Sequence, residues 1–292
     1  MQQRVTRQEL HHLAWSEPMR TLAKRFGISD VALKKTCRQM HVPTPPQGYW
    51  NRKAAGKPAL RLALPPRPVG LDNAVVLAGG RYGRYYQHSI SQEEILGPLP
   101  PVPTFTETMD DVRERLEAML PKVPVPRDPG LPHPAVAKLL KKDDEKRERQ
   151  RGRSYVSSWD APLYDTPIQR RRLRLLSAIF QSLARQECRA DTAGGHPYDG
   201  PLNEFTVTVG HQSVGLHASA DEIKTPARGG RPASVSPGKL RLAIGPAEDR
   251  GPTGHSWVDG EQTLEQQASS IVLAIMVKGE QQRRDDAVRT HA

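Results

Sequence analysis

Aromatic side chains make up only 5% of this sequence, and cysteines number two. So few aromatics argue against a stacking platform of the kind that holds single-stranded nucleic acid. Cys37 and Cys188, so far apart, make neither a zinc-ligand set nor a disulfide framework, which fits a reducing cytoplasm. Long apolar runs are missing as well. The longest, Ile271 to Val277, falls far short of the roughly twenty residues that span a bilayer. The start, MQQRVTRQEL, is polar rather than a charged-then-apolar leader. No phosphate loop, nucleophile elbow or dinucleotide-binding glycine fingerprint occurs, so no cofactor is expected.

What the chain does have is positive charge. Its 292 residues carry a formal +11 and a pI near 9.8, which points to a polyanionic partner, most commonly nucleic acid. The length suits two ordinary domains. A hydrophobic fraction of 36% and a mean hydropathy of −0.63 fit packed modules joined by solvated linkers. From Met1 to Lys57 there are eleven Lys and Arg against three acids, Glu9, Glu17 and Asp30. That leaves +8 of the +11 in the first fifth of the chain.

The same region has the clearest pattern. Between Met19 and Met40, Leu22, Ala23 and Phe26 recur at helical spacing, and Gly27 follows where a left-handed residue ends a helix. Ser29 is then a good N-cap, and Asp30 favours the first turn of a second helix. Leu33, Cys37 and Met40 give that helix its inner face, with Val31 expected to touch the turn. Lys34, Lys35 and Arg38 point outward. A small Ala at the helix crossing, Gly at the turn and outward cations on the second helix form a helix-turn-helix layout. Upstream, Thr6-Arg7-Gln8-Glu9 reads as a capping box opening a helix to Trp15, which would sit near the centre of a three-helix core. His11 and His12 read as surface residues.

After Met40, Pro43, Pro45 and Pro46 favour an extended path into Gly48-Tyr49-Trp50 and the cations Arg52, Lys53 and Lys57. Tyr49 and Trp50 can fold back as an apolar clasp, or the stretch can serve as a basic arm along phosphates. The block TRQELHHLAWSEPMRTLAKRFGISDVALKKTCRQMHVPTPPQGYWNRKAAGKP, Thr6 to Pro58, resembles the start of many uncharacterised bacterial proteins. In those, a helix-turn-helix precedes a Pro-rich GYW…AGK segment. The resemblance implies a helix-turn-helix fold and binding to double-stranded DNA, without any known reaction, ligand or target. It covers the C-terminal part only loosely. The residues expected to contact DNA are Ser29, Asp30, Lys34, Lys35, Arg38, Arg52 and Lys53.

Seventeen of the 27 prolines lie between Pro43 and Pro134, so 58–153 reads as linker. One helix interrupts it, Thr106 to Leu120, with Met109, Val112, Leu116, Met119 and Leu120 apolar. Gly79 to Tyr86 mixes basic, aromatic and glycine residues, and a short hairpin or flexible turn is expected there. Lys138 to Arg153 reads as a solvated helix with i,i+4 ion pairs.

The third segment, 154–292, reads as a small α+β domain. A helix over Ile168 to Cys188 carries Leu173, Leu176, Ile179, Phe180 and Leu183 as its stripe, with Arg170, Arg171, Arg172 and Arg174 crowding its start. Four cations oppose the helix N-terminus and suggest a second DNA contact. Asp191 to Asp199 is turn-rich. Alternation then marks strands at Phe205–Val209, Val214–Leu216 and Leu240–Ile244, with His255–Val258 placed to pair with the last. A closing helix from Gln262 to Arg284 is striped by Leu264, Ala268, Ile271, Val272, Ile275 and Met276. Helix, two hairpins and helix predict two helices on one face of an antiparallel sheet. The whole is an α+β multidomain chain: helix-turn-helix over 1–57, linker over 58–153, α+β domain over 154–292.

A reaction finds one thin basis. Glu222-Ile223-Lys224 follows a predicted strand, as the Glu-x-Lys of metal-dependent nucleases does. Asp199, Glu204 or Glu187 would have to add a second carboxylate, and none stands at convincing spacing. His196, His211, His217 and His255 are scattered through loops and hairpins. The main expectation is a non-enzymatic, sequence-reading DNA-binding protein, a transcriptional regulator in outline. Its C-terminal domain would form a homodimer, sense a ligand or hold a partner. The second expectation is a DNA-processing enzyme targeted by the same module.

Overall fold

Thr6 ends one element and caps the next. Strand β1 (Gln2–Thr6) runs directly into helix α1 (Arg7–Ser16), and the Thr6 hydroxyl accepts from Glu9 N–H at 3.2 Å. The Glu9 carboxylate reaches back to Thr6 N–H at 2.8 Å, so the capping box is complete. These contacts hold the Glu9 carboxyl below the usual range, the Thr6 backbone bond first among them. Helices α2 (Met19–Arg25) and α3 (Asp30–Gln39) follow, then a short helix α4 (Tyr49–Ala54) and strand β2 (Ala74–Ala78).

The computed structural model describes residues 2–78, 104–127, 130–151, 161–193, 201–220, 223–225, 234–236, 238–245 and 255–291. They divide into two bodies, one of Met1–Thr104 with Arg283–Ala292, the other of Phe105–Gln282. The Gly79–Tyr86 stretch lies outside the described residues.

In the first body, Leu10, Ala14, Trp15, Leu22, Ala23, Phe26, Leu33, Cys37 and Met40 form one buried cluster, joined by Val5, Val42, Tyr49 and Leu77. Trp15 is buried within this cluster, as expected, and its indole N–H donates to the Pro43 carbonyl at 2.8 Å. Two expectations fail here. The linker does not start at residue 58, because β2 pairs antiparallel with β1, Thr6 opposite Ala74 and Gln2 opposite Ala78. Ala59 and Leu64 pack on the same cluster. His11 is not a surface residue either: it is buried, and its Nε2 donates to the Leu62 carbonyl at 3.0 Å. An extended segment crossing α1 leaves backbone carbonyls that need donors, and His11 supplies one.

The second body centres on a five-stranded antiparallel sheet. Its strands are β3 (Arg189–Thr192), β4 (Glu204–Val209) and β5 (Gln212–Ala220), then β8 (Leu240–Ile244) and β9 (Ser256–Val258), paired in that order. Two further strands, β6 (Ile223–Thr225) and β7 (Ser234–Ser236), pair only with each other. Three helices precede the sheet: α5 (Met109–Met119), α6 (Pro134–Gln150) and α7 (Pro167–Arg185). Helix α8 (Ala268–His291) closes the chain.

Every residue of the two predicted apolar stripes is buried, Leu173 to Leu183 on α7 and Leu264 to Met276 before and along α8. Phe180 meets Phe205 with ring centroids 5.6 Å apart, and a Cβ placed on Gly279 would stand 2.7 Å from Val209 Cβ. Phe205 and Val209 lie on the same side of β4, so both helices cover one face of the sheet. The expected α+β body is present, with two differences. Asp191 and Thr192 belong to edge strand β3 rather than to a turn. The charge run on α6 is not simply solvated. Ala135, Val136 and Leu139 are buried, and so is the Asp143 carboxylate, which accepts from Leu163 N–H at 2.7 Å and Tyr164 N–H at 3.0 Å.

Candidate functional site

The stretch from Met19 to Met40 is held at both ends of α3. Gly27 has φ of +65°, a left-handed conformation that suits a residue without Cβ. Ile28 N–H then donates to the Ala23 carbonyl at 3.0 Å, and Gly27 N–H donates to the Lys24 carbonyl at 3.1 Å. This double bond pattern satisfies the last carbonyls of α2 and fixes the turn. The Ser29 hydroxyl accepts from Ala32 N–H at 3.1 Å, so Ser29 serves as the N-cap, with Asp30 in the first turn.

The C-terminal end of α3 closes in the same way, with His41 at φ of +50° in place of glycine. Val42 N–H donates to the Cys37 carbonyl at 2.8 Å, and His41 N–H to the Arg38 carbonyl at 3.1 Å. Arg7 completes the closure from α1. Its guanidinium donates to the carbonyls of Met40, His41 and Pro65, each at 2.8 Å. Burial, and Arg67 nearby, lower its pKa from the ordinary arginine value. Cys37 is buried within α3, and burial pushes its thiol up to about 11, so it serves as a small apolar residue.

On this fixed frame Lys34, Lys35 and Arg38 are exposed, as helical spacing predicts, and so are Ser29 and Asp30. The side chains of Lys34, Lys35 and Arg38 have no hydrogen bond or ion pair among the described residues. Val31 differs from expectation. Expected to touch the turn, it stands 71% exposed instead.

Arg52 and Lys53 are exposed on α4, which corrects the expected extended path after Pro46. Gly48, at φ of +79°, turns the chain after the prolines and lets a helix start at Tyr49. Tyr49 is the clasp: its ring meets Trp15 edge-on, centroids 5.1 Å apart at 89°. Trp50 packs edge-on against Tyr49, and the Lys53 ammonium stands 5.1 Å from the Trp50 ring centre.

The four arginines that open α7 are all engaged within the second body. Arg170 pairs with Asp165, and Arg171 makes bidentate pairs with both Asp259 and Glu265. Arg172 is buried, donating to Asn203 and to the carbonyls of Ala218 and Leu202. Arg174 reaches the Arg127 carbonyl and Glu265. This speaks against the expected second DNA contact: Arg170, Arg171 and Arg174 are drawn to Asp165, Asp259 and Glu265, and Arg172 is spent on buried neutral acceptors. Helical spacing shows the cluster, but its counter-charges come from up to 94 residues away.

Of the nuclease constellation, Glu222 and Asp199 lie outside the described residues. Glu204 is hydrogen-bonded to His217 Nδ1 at 2.8 Å across the β4–β5 pair. Among the described residues, no three His, Cys, Asp or Glu side chains gather as a metal-binding group. No helix among them is long and apolar enough to cross a membrane. No family model matches the chain, and no curated protein or solved structure matches it either.

Proposed function

We propose that this chain is a non-enzymatic protein that binds double-stranded DNA through a helix-turn-helix formed by α2 and α3, with α3 as the reading helix. The carrying observation is the set of exposed, unpaired cations Lys34, Lys35 and Arg38 on a helix capped rigidly at both ends. Exposed cations are common on helices. Here no acid follows Asp30 along α3, while the turn and both caps fix where its outer face points. A basic face of fixed orientation suits a groove lined by phosphate. Arg52 and Lys53 on α4 add phosphate contacts beyond the reading helix. The likeness of Thr6–Pro58 to bacterial helix-turn-helix proteins supports the same reading, and transcriptional regulation is the role it suggests.

Selection of bound fragments from random duplex DNA tests this directly. Enrichment of a shared sequence by the full chain is the expected result. Recovery of unrelated sequences, or of none, would sink sequence reading.

A further inference from the structure

We infer that Val31 reads the 5-methyl group of a thymine in the major groove. The inference rests on α3 being the groove-entering helix, and it adds a specificity-determining residue that the charge pattern does not reveal.

At 100° per residue, Val31, Lys35 and Arg38 follow one another at i, i+4 and i+7 along one line of α3. That line lies opposite the buried Leu33 and Cys37. Asp30 and Lys34 stand to one side of it, nearer the body of the protein. Val31 therefore heads the most outward stripe of the helix. It is 71% exposed and joins no part of the apolar cluster. Ala32 beside it is exposed too, and is too small to shade it.

A lone exposed valine by itself means little. Its surroundings select the partner. Lys34, Lys35 and Arg38 around it disfavour an apolar protein groove, where three unpaired cations would lose hydration without compensation. They favour a polyanion that carries an isolated apolar spot. Duplex DNA offers one in the major groove, the thymine C5 methyl, and apolar side chains are its usual contact. Cytosine has only hydrogen at that position. With Val31 on a methyl, Lys35 and Arg38 continue the line toward phosphates.

The test uses the full chain and the duplex enriched by selection, with each thymine replaced singly by deoxyuridine, which lacks only the methyl. One or two replacements should weaken binding about three- to fivefold, the worth of one buried methyl-sized group. Val31→Ala should bind the thymine duplex that much more weakly and treat thymine and deoxyuridine alike. Because Val31 lies outside the core, this variant should unfold at the wild-type midpoint. Indifference of the wild type to every replacement, or full discrimination retained by Val31→Ala, overturns the inference while leaving DNA reading in place. A chain that binds no duplex at all removes both.

Discussion

Arg7 Nε donates to the Met40 carbonyl at 2.8 Å, tying the first residue of α1 to the residue that caps α3. The same guanidinium holds the carbonyl of His41, whose left-handed conformation costs energy and persists only where its surroundings fix it. Arg7→Met keeps most of the apolar stem and leaves the Met40, His41 and Pro65 carbonyls without this donor. A stability loss of about 2–4 kcal/mol is expected, since each buried group left unpaired costs roughly 1–3 kcal/mol and some regain water. Urea unfolding of the two proteins, read by tryptophan fluorescence, measures it. A change under half a kcal/mol would show that the α3 end does not depend on this contact.

On the proposed DNA-binding reading, substitutions at Lys34 and Arg38 separate base reading from phosphate clamping. Loss of a phosphate contact in Arg38→Ala should weaken all duplexes alike and reduce the salt slope by about one unit. Lys34→Ala should cost roughly 1–3 kcal/mol on the selected site and little on random DNA. Titrations over a salt series compare them, and unchanged slope and affinity in both would mean that the basic face is merely solvated.

Limited trypsin digestion of the full chain addresses the end of the first body. Lys57, Arg61 and Arg67 all lie in the Pro-rich stretch that composition marks as linker. Backbone contacts from Arg7 and His11, together with the β1–β2 ladder, bind this stretch to the helices. The smallest stable N-terminal product should therefore extend beyond Ala78. An abundant product ending near Lys57 would contradict the pairing.

The second body should weaken in acid through Asp259 and Glu265. Burial pushes the Asp259 carboxyl up, but bonds from Arg171 and from Leu240 and Leu264 N–H outweigh it and leave the pKa lowered. Arg171 likewise holds Glu265 low. With folded values below unfolded ones, their stabilisation is complete above the unfolded pKa near 4 and is lost as pH falls through the folded values. Unfolding midpoints from pH 6 to pH 3 should drop steeply in the wild type and less steeply in Asp259→Asn. Parallel curves would remove Asp259 as a contributor.

Local chemistry was readable in the sequence, and distant pairing was not. The Thr6–Glu9 box, the left-handed Gly27 and the Ser29 cap each depend on residues within a few positions, so spacing alone reveals them. The two stripes of the second body follow from helical period, and β8 from alternation, with β9 as the segment placed to pair with it. Strand β1 is too short and polar to show itself without β2, whose register depends on contacts made far along the chain. No composition signal marks Arg7 as an arginine bound for carbonyls 33, 34 and 58 residues away. At the candidate site, the outward cations were legible from the 3.6-residue period. Val31 falls on the same outward line by that period, but a valine beside a turn reads equally well as a packing residue, and only its exposure in the fold decides between the two.

The pairing of Thr6 with Ala74 also sets a schedule. A ribosome delivers β1 first and its partner strand last, after all four helices of the region have emerged. At about 5–20 residues per second, the opening strand waits roughly 3–14 seconds for β2. The Arg7 guanidinium waits with it, since the Pro65 carbonyl also comes late. The helices that present Lys34 and Arg38 can therefore form early in synthesis, while the β1–β2 pair that flanks them closes only once residue 78 is free.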